Sequence, residues 1–251
     1  GSEMCIRDST VTPTIHHDRE RAMVKLPEKL GENERVYLST GFRAAIDRSL
    51  RGFYYSTWAH EGQMGRYALT QFEPTSARRA YPGWDEPAYK ANFTFRMLHR
   101  VNTTALANMP SAYERSVDKE QVHQLLQTRS SGLSLHQYNL DEWLLTEFET
   151  TPKMATYLVA WANGAFLHVS NTTISPLTGR VIPLRMYTTP DLIHQAAFST
   201  EAMAKILPEY EKIFEIAYPL PKLDALVAAD FDFGAMAVSY THLRAHETDS
   251  Y

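Results

Sequence analysis

The chain has 251 residues, of which 44% are apolar, so it can form one large domain or two smaller ones. A net charge of -4 and the absence of any run of basic residues argue against a nucleic-acid partner. No stretch approaches the roughly 20 apolar residues that cross a membrane, and no signal-peptide pattern is visible. The single cysteine, Cys5, excludes an internal disulfide framework.

The two ends of the chain do not continue the patterns of the body. Residues 1–9 and 237–251 resemble peptides obtained when sequencing-adapter DNA is translated, and we interpret both as artefactual or disordered tails. They are set aside from fold reasoning, as a cloning scar would be.

Most of the body has the composition of β-strands. In the first part, aromatic and β-branched residues predict strands over 36–46, 52–58 and 66–72. Alternation predicts another strand over 91–100. The polar residues 111–137 are either a loop or a loosely helical excursion.

The second part of the body begins with more strands and ends with a helix. Strands are predicted over 141–148, 166–170 and 180–187, whereas residues 154–162 fit either a buried strand or a buried helical turn. After Thr188, apolar residues spaced by three and four predict a helix from Asp191, as its cap, to Phe214. Pro208 should kink or shorten that helix.

This change near Thr188 divides the body. We predict a mainly β domain over residues 10–188, followed by the start of an α/β unit over residues 189–236.

One stretch, residues 70–94, carries more specific groups than a loop needs for solubility. It contains three carboxylates, Glu73, Asp85 and Glu86, together with two arginines and two Pro turns. We expect Asp85 and Glu86 to be structural, holding backbone amides and Arg78 or Arg79. For Glu73, the residues alone favour a turn or helix-capping role.

Several motifs resemble the zinc aminopeptidases of the aminopeptidase N and puromycin-sensitive aminopeptidase family, in family order over residues 20–236. They are residues 70–93, which begin Thr-Gln-Phe-Glu-Pro-Thr; residues 108–110, Asn-Met-Pro; residues 148–160, which begin Phe-Glu-Thr-Thr-Pro-Lys; residues 218–222, Tyr-Pro-Leu-Pro-Lys; and residues 231–236, Phe-Asp-Phe-Gly-Ala-Met. The resemblance implies a β-saddle N-terminal domain and the first helix and strands of a truncated thermolysin-like catalytic domain. Similarity to the cytosolic fungal branch implies a cytoplasmic protein.

The resemblance also implies substrate-binding residues. Glu73 matches a glutamate that holds the amine at the N-terminus of a peptide substrate. Gln71 matches a neighbour that lines the pocket for the first side chain, although a structural role is equally open. Gly234, Ala235 and Met236 match a strand that pairs with the substrate backbone. The family's next two residues, Glu and Asn, are replaced here by Ala and Val.

Zinc is the cofactor that the resemblance implies for the full-length parent. Its site needs His-Glu-x-x-His, and this motif does not occur in the 251 residues. His242 and His246 have the right spacing but lack the glutamate. We therefore predict no metal and no catalytic residue on this chain, and an inactive piece of an aminopeptidase. The alternative is a non-catalytic β-sheet module that binds peptides or partners.

Overall fold

The computed structural model describes residues 12–26, 28–127 and 143–231. It is mainly β, which confirms the predicted fold class; within these residues there are twelve strands and two α-helices. The chain divides into two compact units, residues 1–42 and 43–251. The predicted saddle and truncated catalytic domain, with their boundary at 188–189, stay predictions.

The first unit contains one small antiparallel sheet, in which β1 (Thr14–His16) pairs with β2 (Arg21–Met23). The strand predicted over 36–46 is wrong. Residues 36–46 lie outside any strand, and their apolar side chains are largely exposed, with Tyr37 at 87%. Apolar composition alone does not make a strand where no neighbouring backbone pairs with it.

The largest sheet of the second unit has the order β3-β4-β9-β6. Its strands are β3 (Gly52–His60), β4 (Gln63–Gln71), β6 (Thr104–Ala107) and β9 (Trp161–Gly164). Strands β3 and β4 were predicted over 52–58 and 66–72, and they pair antiparallel, with alternate residues such as Tyr54, Tyr67 and Leu69 buried. Residues 154–162 combine the two open alternatives, because a 3-10 turn at Thr156–Leu158 precedes β9.

A second sheet has the order β5-β8-β7, all antiparallel. Its strands are β5 (Arg96–Arg100), β7 (Ser111–Val117) and β8 (Trp143–Phe148). Helix α1 (Lys119–Gln127) follows β7, so the helical alternative holds for part of 111–137. The loop or helix expected over 111–117 is wrong: these polar residues form a mostly exposed edge strand, whose inward side chain is Val117.

The third sheet joins residues from both sides of the predicted boundary. Strand β10 (Leu167–Ile174) pairs antiparallel with β11 (Val181–Thr188), and β11 pairs in parallel with β12 (Leu223–Leu226). A parallel pair needs a crossover connection, and a helix supplies it here. Buried Ile182 and Leu184 on β11 form a core with Tyr218 and Leu220.

The crossover helix, α2 (Ala196–Phe214), packs on β10 and β11. Its predicted end at Phe214 is confirmed. The predicted cap is wrong, because a 3-10 helix over Pro190–Gln195 comes first and Gln195, not Asp191, occupies the cap position. Of the two effects predicted for Pro208, shortening does not occur, since the helix continues to Phe214, and a kink stays a prediction. In the described parts of the chain, no helix is long and apolar enough to cross a membrane.

Candidate functional site

Gln71 and Glu73 lie at the end of β4 in very different surroundings. Gln71, the last residue of the strand, is only 2% exposed, and its Nε2 donates a hydrogen bond of 3.4 Å to the carbonyl of Glu73. Its Oε1 is buried without a hydrogen-bond partner. Glu73 is exposed. The two residues therefore present a buried amide oxygen and a solvated carboxylate within three positions.

Gln71 is one of the residues that line a cleft of about 850 Å³. The four-stranded sheet β3-β4-β9-β6 supplies one part of the lining, including Leu69 and Trp161. Helix α2 and the segment around β12 supply most of the rest. Glu73 is not among the lining residues. A largely apolar cleft of this size with a few fixed polar groups is the usual form of a binding site.

The loop that carries Glu73 is held by one carboxylate. Asp85 Oδ2 accepts hydrogen bonds from the backbone N–H and the Nε of Arg78, at 3.1 and 2.9 Å. Its Oδ1 accepts one from Thr156 Oγ1 at 2.6 Å. Burial raises the pKa of Asp85, but the hydrogen bonds from Thr156 and Arg78 outweigh burial and hold that pKa below its usual value. The predicted structural role of Asp85 is confirmed, whereas Glu86 is exposed.

A close backbone approach fixes the same loop on β3. Gly52 has a φ of +71°, and a Cβ placed there would lie 2.8 Å from the Cβ of Arg79. Arg79 closes the 3-10 turn Ala77–Arg79. Glycine is therefore needed at position 52 both for its left-handed conformation and for the space it leaves.

Aromatic rings pack behind the cleft wall. The ring of Trp161 stacks on Phe95 with centroids 4.9 Å apart and meets Phe72 edge-on at 5.1 Å. Phe72 is 1% exposed. Such packed rings leave little freedom to the strand end that carries Gln71.

Charged residues near β12 were missed by the sequence reasoning. Lys222 is 6% exposed and donates hydrogen bonds to the Ala107 carbonyl at 2.9 Å and to Asp224 Oδ2 at 2.5 Å. Asp224 also accepts from Arg185 Nε at 2.8 Å. Burial lowers the pKa of Lys222, although Asp224 opposes this effect. The sequence feature that could have identified them is the presence of charged residues within the otherwise apolar stretch 218–229.

Glu211 on α2 was also missed. It is 3% exposed and lines the cleft; its Oε1 accepts a hydrogen bond from the Tyr218 N–H at 2.5 Å, and its Oε2 is buried without a partner. The spacing Met203, Leu207, Glu211 places this carboxylate on the apolar face of the helix. That spacing was the sequence signal.

The remaining predicted site residues are not placed by the structure. Gly234, Ala235 and Met236 lie outside the described residues, as do His242 and His246. Within residues 12–26, 28–127 and 143–231, no three His, Cys, Asp or Glu side chains are arranged to hold a metal ion. This part of the chain therefore does not fit a zinc site.

The sequence matches the model of the Peptidase M1 N-terminal domain over residues 2–131. It is 36% identical over 218 residues to human endoplasmic reticulum aminopeptidase 2, covering 86% of this chain and 20% of that protein. Pig glutamyl aminopeptidase is 34% identical over 221 residues, with 87% and 21% covered. Aminopeptidase M1 of Arabidopsis thaliana is 34% identical over 199 residues, with 79% and 20% covered.

The family model covers half of the chain, and the chain belongs to the Peptidase M1 N-terminal domain family. Its relatives are aminopeptidases, which confirms the predicted family and its general class of hydrolase. The chain spans about a fifth of the length of these relatives, at 20% of the human protein.

Proposed function

We propose that this chain is the N-terminal part of a zinc aminopeptidase that removes N-terminal residues from peptides. The family membership and the names of the relatives support this reading. The observation that carries it is Gln71, whose buried and unpartnered Oε1 belongs to a residue lining the cleft. A buried amide oxygen without a partner is costly unless a ligand or another chain supplies the donor.

In this proposal, Glu73 binds the α-ammonium group of the peptide through charge-assisted hydrogen bonds, and Gln71 contacts the first side chain. An exposed carboxylate on a braced loop is suited to that task, because a rigid loop loses little conformational freedom on binding. Gly234, Ala235 and Met236 would pair with the substrate backbone.

Zinc belongs to the longer parent in this proposal. Bound there, zinc would supply Lewis-acid chemistry, with polarisation of the first peptide carbonyl and activation of water. The described residues do not fit such a site, so we assign this chain no catalytic step and expect it to be inactive by itself.

Two measurements test this proposal. The purified 251-residue chain is assayed for zinc content and for hydrolysis of aminoacyl-naphthylamides, and we expect neither stoichiometric zinc nor turnover. The coding sequence is also extended beyond Met236, where we expect Glu-Asn and then His-Glu-x-x-His. Turnover by the chain alone contradicts the inactive-fragment proposal, and a genuine early stop instead indicates a non-catalytic module.

We also propose a cytoplasmic location for the parent. The resemblance to the cytosolic fungal branch supports it. Fractionation of cells that express the extended protein tests it, and recovery in the membrane or secreted fraction contradicts it.

A further inference from the structure

Residues 229 and 230 are fixed to the β3–β4 hairpin by three hydrogen bonds. Ser56 Oγ donates to Asp230 Oδ2 at 2.6 Å, and Tyr54 Oη donates to the Asp230 carbonyl at 2.9 Å. The N–H of Ala229 donates to Tyr67 Oη at 2.8 Å. Tyr54 and Ser56 are fully buried and Tyr67 is 2% exposed, so packing holds all three hydroxyl groups in place.

The Ser56 hydroxyl is the strongest side-chain contact of Asp230 within the described residues. It forms a short hydrogen bond to an ionised acceptor, and such bonds are roughly twice as strong as neutral ones. Arg48 Nη2 lies 3.8 Å from Asp230 Oδ2, but the two side chains are 58% and 47% exposed, and exposed ion pairs contribute little. Phe231, the next residue, adds apolar contacts with the core around Tyr54.

This anchor lies on the same face of the hairpin as Gln71. Side chains alternate along a strand, so Tyr67, Leu69 and Gln71 share one face of β4, and all three are buried. Gln71 follows Tyr67 by four positions, about 13 Å along the strand. Gly234 follows Asp230 by four positions, and an extended chain of that length spans at most about 14 Å. The anchor is therefore within reach of both proposed substrate-binding parts of the chain.

We infer that Ser56 and Asp230 are positioning residues for the proposed aminopeptidase. They hold the start of the segment 234–236 at a fixed separation from Gln71 and Glu73, and in this respect the inference rests on the proposed function. A peptide held by its amine and along its backbone needs both contacts in register, because a misplacement of about 1 Å can cost about 100-fold in rate. One rigid hairpin carries the first contact covalently and fixes the second through Asp230.

The first test uses the purified 251-residue chain and needs no activity. Hydrogen exchange is followed by mass spectrometry over residues 227–231, where the Val227 and Ala229 amides are hydrogen-bonded. We expect exchange there to become about tenfold faster in Ser56→Ala and in Asp230→Ala, because each removes the charged hydrogen bond. Exchange in β10 and β11 should not change.

Two variants serve as controls. Asp230→Asn should stay within about threefold of wild type, because its side-chain oxygen still accepts from Ser56. Thr57→Val changes the next position of β3, whose side chain lies on the opposite face, and should leave exchange over 227–231 unchanged. Circular dichroism of each variant shows whether it folds.

The second test uses the extended parent and two substrates with a free amine, a tetrapeptide and an aminoacyl-naphthylamide. Only the tetrapeptide has backbone beyond the first residue for the segment 234–236 to pair with. Ser56→Ala and Asp230→Ala should therefore lower the ratio of kcat/KM for the tetrapeptide to that for the naphthylamide about tenfold. The double variant should lose no more than either single variant, because both remove the same hydrogen bond.

Unchanged exchange over 227–231 in both alanine variants overturns the anchor. Faster exchange with an unchanged ratio of the two kcat/KM values overturns the positioning role and leaves the hydrogen bond a purely structural one. If the wild-type parent cleaves neither substrate, the aminopeptidase proposal fails and the positioning role fails with it. The exchange measurement decides the anchor in either case.

Discussion

Thr173 Oγ1 donates a hydrogen bond of 2.8 Å to the carbonyl of Ala204. In a regular helix this carbonyl would accept from the N–H of residue 208, which is a proline and has none. Thr173, on β10, thus satisfies the acceptor that Pro208 leaves open. The contact explains why α2 continues past Pro208 to Phe214.

Thr173→Val should therefore destabilise the chain by about 1–3 kcal/mol, because it removes the side-chain donor of the half-buried Ala204 carbonyl. Urea unfolding followed by circular dichroism measures the change. Thr172→Val is the matched control, since Thr172 is exposed on the same strand and should change stability by less than about 0.5 kcal/mol. Equal effects of the two substitutions contradict the role of Thr173.

Asp85→Asn should cost about 2 kcal/mol at neutral pH, because it removes the charge from the hydrogen bonds with Arg78. The pKa of Asp85 is lowered in the folded state from 3.8, so its contribution is present above pH 3.8 and is lost as the pH falls through the folded value. Wild type and variant should therefore converge in unfolding free energy as the pH falls below the folded pKa of Asp85. Exposed Glu86→Gln is the control, and a pH-independent difference contradicts this account.

His99 should have a pKa below 6.5, because its ring is buried and burial lowers the pKa more than the Arg100 carbonyl and Glu114 raise it. As the pH falls below 6.5, the unfolded chain binds this proton first, so the fold loses stability in acid. Proton NMR titration of the His99 ring measures the value. Glu114→Gln should lower the pKa further, since it removes a carboxylate 3.7 Å from Nε2. A higher His99 pKa in Glu114→Gln than in the wild type contradicts the prediction.

Gly52→Ala should destabilise the chain by about 2–4 kcal/mol, since it adds both a left-handed alanine and a contact with the Arg79 Cβ at 2.8 Å. Gly62→Ala separates the two effects. Gly62 has a φ of +77° with nothing within 4 Å of the added Cβ, so only the conformational cost of about 1 kcal/mol is expected. Thermal unfolding of both variants tests whether Gly52→Ala is the more destabilising substitution. Equal destabilisation by the two substitutions contradicts the contribution of the Arg79 contact.

Glu73→Ala should leave the stability of this chain within about 0.5 kcal/mol of wild type, because the side chain is exposed. In the extended parent, the same change should lower kcat/KM for a peptide with a free N-terminus about 100-fold, through loss of a charged contact to the amine. Glu86→Gln in that parent is the control. Unchanged kcat/KM rules out the amine-binding role of Glu73.

The sequence predicted best the elements whose local pattern agrees with their packing. Strands β3 and β4 are rich in aromatic residues, flank a turn with glycine, and are both present as predicted. Strand β7 was missed because its side chains are mostly exposed, so its pairing with β8 leaves little hydrophobic signal. Residues 36–46 have the hydrophobic composition of a strand but do not form one. A strand also needs a neighbouring backbone to pair with, and the tertiary fold determines whether one is there.

In the candidate site, too, some residues could be predicted from local sequence and others could not. Gln71 and Glu73 were found through a motif, whereas Glu211 and Lys222 lie 138 to 151 positions further along the chain and join the cleft lining only through the fold. The hydrogen bond between Thr173 and Ala204 is also invisible locally, because it spans 31 positions and depends on how α2 packs. Contacts of this kind require the three-dimensional arrangement.

The parallel pairing of β11 with β12 has a practical consequence for expression. A shortened protein that ends at residue 188 would keep β11 but lose its neighbour Leu223–Leu226. The free backbone of β11, beside buried Ile182 and Leu184, would then be an open edge available to other molecules. Ending the polypeptide after residue 231 retains that neighbour and avoids a self-associating product.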